Sequence, residues 1–269
     1  MDQIDGMTGN LDATNRFSGR VEEYIRSRPR YPDSVVDLLA RETGLTPDAL
    51  IADVGSGTGF SAEPFLRNGN RVIGIEPNGP MRQAGDDMLR DYPHFHGLAG
   101  TAEAMTLPTA SVDYIVCGQA MHWFEPERAG REFRRVLKPA GWVVLMWHTR
   151  RLGSPFMAAY EALLERFGTD YAEVSRRGSG LLHRLGDDVP PQILAFYGGP
   201  VRLRLLPTEQ RFDFPGLRSR VLSASYMPAE GHPSHGPMLQ RLWLLFDEHQ
   251  QGGEVVFEYD LEVYFGRLA

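Results

Sequence analysis

Three glycines at alternate positions, Gly55, Gly57 and Gly59 in "DVGSGTGF", follow the short apolar run "LIADVG". Glycines in such a turn let the backbone come close to a ligand where side chains would block it, and a helix N-terminus beyond the turn favours polar ligand groups. Two carboxylates accompany them: Asp53 precedes the first glycine by two residues, and Glu76 ends the next apolar run, "RVIGIE". A carboxylate at that second position can accept both hydroxyls of a ribose. The set has the composition of a seat for an adenosine-bearing cofactor.

A nicotinamide dinucleotide and S-adenosylmethionine both suit such a turn. The dinucleotide fingerprint is G-x-G-x-x-G, and the position it keeps as its third glycine is Phe60 here. Asp53 could take a hydrogen bond from an ammonium group, whereas a pyrophosphate gains nothing from it. Glu76 suits either cofactor. The glycines alone are a weak signal, since a tight turn with no ligand looks the same.

The downstream stretches "GTAEAMTLPTASVDYIVCGQAMHWF" and "EFRRVLKPAGWVVLMW" add ordered motifs. With "DVGSGTG" they closely resemble class I S-adenosylmethionine-dependent methyltransferases, and "QAMHWF" resembles the trans-aconitate methyltransferase branch and related small-molecule enzymes. The resemblance spans roughly residues 17–150 and implies a role for each matched residue. Gly55, Ser56, Gly57 and Gly59 would approach the methionyl part of S-adenosyl-L-methionine, with Asp53 near its amino group. Glu76 would hold the ribose hydroxyls, with Pro77 and Asn78 beside it. Ala102 and Glu103 would border the adenine, and Gln119 would sit near the sulfonium. In "YIRSRPRYP", Tyr24 and Arg28 would cap the cofactor, Arg28 pairing its carboxylate. Many relatives have aspartate where this chain has Thr101, which leaves a direct carboxylate contact to the adenine amino group without its usual residue. The usual "KPGG" turn reads "KPAG", with Ala140.

Methyl transfer from a sulfonium yields S-adenosyl-L-homocysteine and needs positioning more than covalent catalysis. The acceptor belongs over the C-terminal ends of the strands. His122 and Trp123 follow the fourth apolar run, while Trp147 and His148 end the fifth, so these four side chains are expected to converge on one edge. Tyr226, in a Pro-rich segment, is a weaker candidate. His122 is the expected general base, with an ordinary imidazole pKa near ~6.5. Arg150, Arg151, Arg218 and Arg220 would suit an acidic acceptor if turned inward, although a solvated surface is the better expectation. No metal is expected: His232 and His235 in "GHPSH" make two ligands at best.

These residues need a scaffold, and the pattern supplies one. Runs at 50–55, 71–76, 94–99, 112–118 and 142–148 read as strands buried on both faces of a parallel sheet. Helix-like segments at 60–68, 81–90 and 125–137 alternate with them. The rhythm predicts an α/β, doubly wound, Rossmann-like, mostly parallel seven-stranded sheet with a helical lid in the C-terminal half. Residues 1–150 are expected to form the cofactor-binding core with an N-terminal cap. Residues 151–250 would form helical inserts or a lid with one strand near 201–206, and 251–269 the closing strand of the same sheet.

Composition narrows the functions. The chain has 269 residues, 42% hydrophobic and 23% charged, with a net charge of −7 and dispersed arginines, which argues against nucleic acid or an anionic membrane as partner. One cysteine, Cys117, allows no internal disulfide and no cysteine zinc cluster. No apolar stretch approaches a membrane span and the first residues lack a leader pattern, so a cytoplasmic location is expected. The leading expectation is a methyltransferase acting on a small-molecule acceptor. A non-catalytic binder of the same cofactor and an NAD-dependent oxidoreductase are the alternatives, and oligomeric state is unreadable.

Overall fold

In a computed structural model, residues 28–171, 188–224 and 226–269 are described. Seven strands form one sheet in the order β3-β2-β1-β4-β5-β7-β6. They are β1 (Leu50–Val54), β2 (Arg71–Ile75), β3 (Phe95–Leu98), β4 (Val112–Gly118), β5 (Leu137–Arg150), β6 (Val201–Phe212) and β7 (Val255–Gly266). Strands β1 to β5 pair in parallel, and β7 joins β5 and β6 antiparallel. This is the doubly wound, Rossmann-like arrangement with its order reversing beside β1, which puts a crevice over the C-terminal ends of β1 and β4.

Alternation along the strands divides two cores. Ala52, Val54, Ile115, Cys117, Val143, Leu145 and Trp147 pack on one face; Ile51, Val72, Tyr114, Val116, Val144 and Met146 pack on the other. The helices α1 (Ser34–Thr43), α2 (Glu63–Arg67), α3 (Gly79–Met88), α4 (Pro126–Val136) and α6 (Pro191–Tyr197) cover these faces. Helix ends follow local chemistry. Asn78 caps α3 by accepting the Met81 N–H at 3.0 Å, and beyond α2 the chain passes through Gly69 at φ 95°.

The helices α5 (Pro155–Phe167), α7 (Phe214–Leu222) and α8 (His235–His249) form a third core. Phe156, Tyr160, Leu217 and Leu242 pack there against Phe212, Val255, Phe257 and Tyr259. The platform is the β6–β7 ribbon, which pairs over twelve residues and runs past the end of β5.

Several bounds differ from the sequence pattern. Strand β6 runs on to Phe212, through Pro207, because it is the edge strand, where a missing N–H leaves no ladder bond unmade. Strand β5 begins at Leu137, with an irregularity between Val112 and Tyr114 on β4 accommodating the Lys138–Pro139 segment. Helix α1 lies in a part of the chain expected only to cap the cofactor. The part of the expected helical stretch at 172–187, and Tyr24, lie outside the described residues.

Candidate functional site

The loop after β1 forms as its glycines require. Gly55, Gly57 and Gly59 have φ of 70°, 53° and 84°, in the left-handed region. They differ in what surrounds them. A Cβ on Gly55 would lie 2.6 Å from Ala120 Cβ and one on Gly59 2.4 Å from Leu89, so both positions are filled by protein. At Gly57 a Cβ would meet only the flexible end of Met81, Cε at 3.4 Å, in ordinary contact, and Gly57 is partly exposed. Its carbonyl rests against Gly85 of α3, where a Cβ would stand 3.1 Å from the Gly57 oxygen.

Glu76 holds this loop. Its Oε2 accepts the Gly57 N–H at 2.9 Å, and Oε1 accepts the Asn78 N–H at 2.8 Å. Each oxygen keeps a second lone pair. Burial raises the Glu76 carboxyl above its ordinary value, against the two backbone donors and Arg82, which favour the anion. Asp53 is fully buried at the end of β1, and its two oxygens share one donor, Ser61 Oγ, at 2.9 and 2.7 Å. Desolvation pushes Asp53 up to about 7, opposed by Ser61 and reinforced by the charge of Glu76. A dry carboxylate served by one hydroxyl has acceptor capacity left for a cation.

At the end of β4, Gln119 has φ 55°, one of two non-glycine residues with positive φ among the described residues. Its N–H is held by the Met146 carbonyl at 2.9 Å. Backbone strain of this kind concentrates where a side chain must be aimed. The next turn, a short 3-10 helix (Met121–Trp123), carries His122 and Trp123, whose rings lie 4.8 Å apart. His122 Nδ1 is buried without a hydrogen bond among the described residues. Burial, then the positive charge of Arg28, lowers its imidazole to about 4. The ordinary value expected from sequence is therefore corrected: His122 is neutral throughout the neutral range. Arg28 stands close enough to His122 for its charge to act on the ring.

Other expected residues are placed differently. Trp147 is 7% exposed in the core beside Tyr264, because β5 alternation turns it away from the face that His148 occupies. Thus Trp147 and His148 do not converge. Glu103 caps α4 by accepting the Glu125 N–H at 2.8 Å, Ala102 is buried in the core beneath it, Pro77 is exposed, and buried Ser56 packs its Oγ near Gly74.

The His148 ring packs at a tilt on Tyr31 at 4.9 Å and edge-to-face on Tyr259 at 5.8 Å. Neither ring nitrogen has a hydrogen bond among the described residues, and burial, followed by the charge of Arg220, lowers it to about 4. Beyond it lies a polar cluster that the sequence reading missed. Arg150 donates to Glu161 at 2.8 Å and to Tyr171 at 2.9 Å, and Tyr171 also bonds Glu161. Tyr226 packs against Tyr171 with ring centroids 4.9 Å apart, tilted by 51°. Arg220 is 4% exposed and neighbours Tyr259, Tyr160, Tyr226 and Arg150. The solvated surface expected for Arg220 is therefore corrected: it shares one buried helical face with Leu217 and Val221, at i, i+3 and i+4. Arg151 and Arg218 are exposed, as expected of solvated arginines.

Among the described residues no group of three or more His, Cys, Asp or Glu could hold a metal ion, and no helix is long and apolar enough to cross a membrane.

Residues 52–145 match the methyltransferase domain family. The matched stretch runs from β1 into β5 and contains the glycine loop, Glu76, Gln119 and His122. The chain is 32% identical over 155 residues to an uncharacterized methyltransferase-like protein of Schizosaccharomyces pombe, covering 57% of this chain and 59% of that protein. It is 37% identical over 145 residues to an uncharacterized methyltransferase of Mycobacterium bovis, covering 53% and 56%. The chain therefore spans little more than half the length of these curated relatives. A solved structure from Anaeromyxobacter dehalogenans, provisionally described as a type II methyltransferase, superposes with a TM-score of 0.58 at 23% identity, over 89% of this chain and 97% of that one. This likeness supports the fold. None of the three names an acceptor.

Proposed function

We propose that this protein is an S-adenosyl-L-methionine-dependent methyltransferase acting on a small molecule. The observation that carries the reading is the pairing of a left-handed, partly exposed Gly57 with the Glu76 carboxylate, inside the matched methyltransferase domain. The residues suit the cofactor. Asp53 has unused acceptor capacity for an ammonium, Glu76 has two free lone pairs for ribose hydroxyls, and Gly57 offers backbone contact. Phe60 argues against a dinucleotide: it is 5% exposed, and the Arg30 guanidinium lies over its ring at 4.5 Å. The "QAMHWF" stretch, resembling the trans-aconitate branch, supports a small acceptor over a polymer, as do the net charge and the dispersed arginines.

When bound, the cofactor supplies an activated methyl group for in-line displacement and leaves as S-adenosylhomocysteine. The protein's own residues hold and orient. Gln119, fixed by its strained backbone, lies at the junction between cofactor and acceptor, with His122 and Trp123 on the adjoining turn. Neutral His122 offers a ring nitrogen to accept a proton from an acceptor hydroxyl or amine, and a pKa of about 4 makes it a weak base. Positioning and exclusion of water supply most of the acceleration, of which near-attack alignment is worth roughly 7–11 kcal/mol.

Calorimetric titration with S-adenosylmethionine and NADH in parallel tests the reading. Binding of the former, with S-adenosylhomocysteine formed once an acceptor is supplied, is expected; binding of NADH alone would overturn it. Binding without turnover across acid, alcohol, amine and carbon acceptors would leave a non-catalytic binder.

A further inference from the structure

The cluster around Arg220 is out of electrical balance. Arg220 makes no side-chain hydrogen bond and no ion pair among the described residues, and its Nε is buried. Among the described residues its titratable and charged neighbours are Tyr259, Tyr160, Tyr226, Arg150 and His148, with no carboxylate among them. Arg150 is already matched, its guanidinium 2.8 Å from Glu161. Burial pushes Tyr160 up to about 12 and lowers His148, beside Arg220, to about 4, so neither supplies a charge at pH 7. Among the described residues, the buried positive charge of Arg220 therefore has no carboxylate counterpart.

A buried, unpaired guanidinium is strongly unfavourable, and proteins tolerate such a group where something else completes it. The unused hydrogen-bonding atoms around it point to what that is. Arg220 Nε and both nitrogens of His148 are buried and unbonded, so a bound group with acceptor oxygens would find donors from a guanidinium and one imidazole N–H. Tyr226 and His148 are partly exposed, which leaves the cluster an approach from solvent. The location ties it to the site above. His148 packs on Tyr31, and a Cβ on Gly118, the residue before Gln119, would lie 2.7 Å from the Tyr31 hydroxyl.

We infer that Arg220, with His148, is the docking point for a monoanionic carboxylate of the methyl acceptor. The carboxylate is an anchor and not the attacking group: held by a guanidinium in a dry site, its oxygens lose nucleophilicity, and His148 and Tyr31 link Arg220 to Gly118. The methylated atom thus lies elsewhere on the same molecule, toward Gln119 and His122. This inference rests on the methyltransferase reading for the word acceptor, but the anion site stands on Arg220 alone.

The test uses the smallest probe of that chemistry. Melting of the full chain is followed with ~100 mM sodium acetate and, separately, with acetamide, ionic strength being equalised with sodium chloride. Acetate is expected to raise the melting temperature by about 3 °C and acetamide not at all. Arg220→Met should melt about 4 °C higher than the parent without any additive, because it removes an uncompensated buried charge, and it should no longer respond to acetate. Equal effects of acetate and acetamide on the parent protein overturn the proposal. So does an acetate response that survives in Arg220→Met, and so does a variant that melts lower or fails to fold, since that marks a structural arginine. A parallel titration with S-adenosylmethionine separates the two readings: no cofactor binding removes the methyltransferase while the acetate comparison still decides the anion site.

Discussion

At the scale of single residues, Glu76 does two jobs, and its removal should show both. Glu76→Ala deletes the acceptor for the Gly57 and Asn78 N–H groups as well as the proposed ribose contacts. Cofactor affinity should fall by roughly 2–3 kcal/mol, with some loss of stability from the two freed donors. Calorimetry on the folded variant showing full affinity would remove Glu76 from the site. The position of Glu76 was legible, because strand ends follow from pattern; its grip on the glycine loop was not, since only the folded turn brings residue 57 to it. His122 shows the same division. Its place after β4 follows from the sequence, whereas its lowered basicity comes from burial and from Arg28, which no spacing reveals. For an acceptor whose attacking atom carries a proton, His122→Ala should reduce kcat by about 10²-fold. The parent rate should stay level between pH 5 and 8 and decline only toward pH 4, as the imidazole becomes charged. A rate limb near pH 6.5 that vanishes in His122→Ala would show that the site is wetter than its burial indicates.

At the scale of elements, helix α3 props the glycine loop after β1, and Gly85 is the contact that lets it do so. A Cβ there would approach the Gly57 carbonyl oxygen to 3.1 Å and the Thr58 carbonyl carbon to 3.4 Å, backbone atoms that cannot rotate aside. Gly85→Val should therefore cost about 1–3 kcal/mol of stability through overpacking and also weaken S-adenosylmethionine binding. Chemical unfolding and titration of one preparation would check both. Loss of stability with unchanged affinity would mean that the loop does not need α3 behind it. The elements themselves were largely readable. Buried strands β1, β2, β4 and β5 are β-branched runs whose termini moved by few residues, apart from the early start of β5, where Leu137 pairs with Val112 and residues 138–141 bulge before the ladder resumes at Trp142. The second half of β6 was not readable, because a strand containing Pro207 is recognisable as a strand only once it is known to lie at the edge. Trp147 was misplaced for a related reason: strand ends are visible in sequence, but which face each end residue takes depends on register.

At the scale of the whole molecule, the buried ionisable groups give stability a pH dependence with opposing parts. His122 and His148 have folded-state values near 4 against 6.5 unfolded, so their contribution is present above pH 6.5 and is lost as pH falls toward 4. Asp53 has the reverse sign: raised from 3.8 to about 7, it favours the fold below pH 3.8 and loses that contribution as pH rises through 7. Burial raises Glu76 in the same direction as Asp53. Between pH 4 and 6.5 the unfolded chain binds about two more protons at the histidines, and the fold about one more at Asp53. Stability from these groups should therefore rise with pH at about 1.4 kcal/mol per unit, crest near pH 6.5 and decline above it. Asp53→Asn cancels the opposing part while leaving an oxygen for the Ser61 hydroxyl. Its advantage over the parent should grow steadily from pH 4 to pH 7, and unfolding by urea at half-unit intervals would trace it. Bound S-adenosylmethionine should erase that advantage if its ammonium rests on Asp53, because a neighbouring cation lowers the carboxylate back toward its ordinary range. A difference between parent and Asp53→Asn that does not vary with pH would show that Asp53 titrates as an ordinary carboxylate, and would remove the buried anion from the cofactor site.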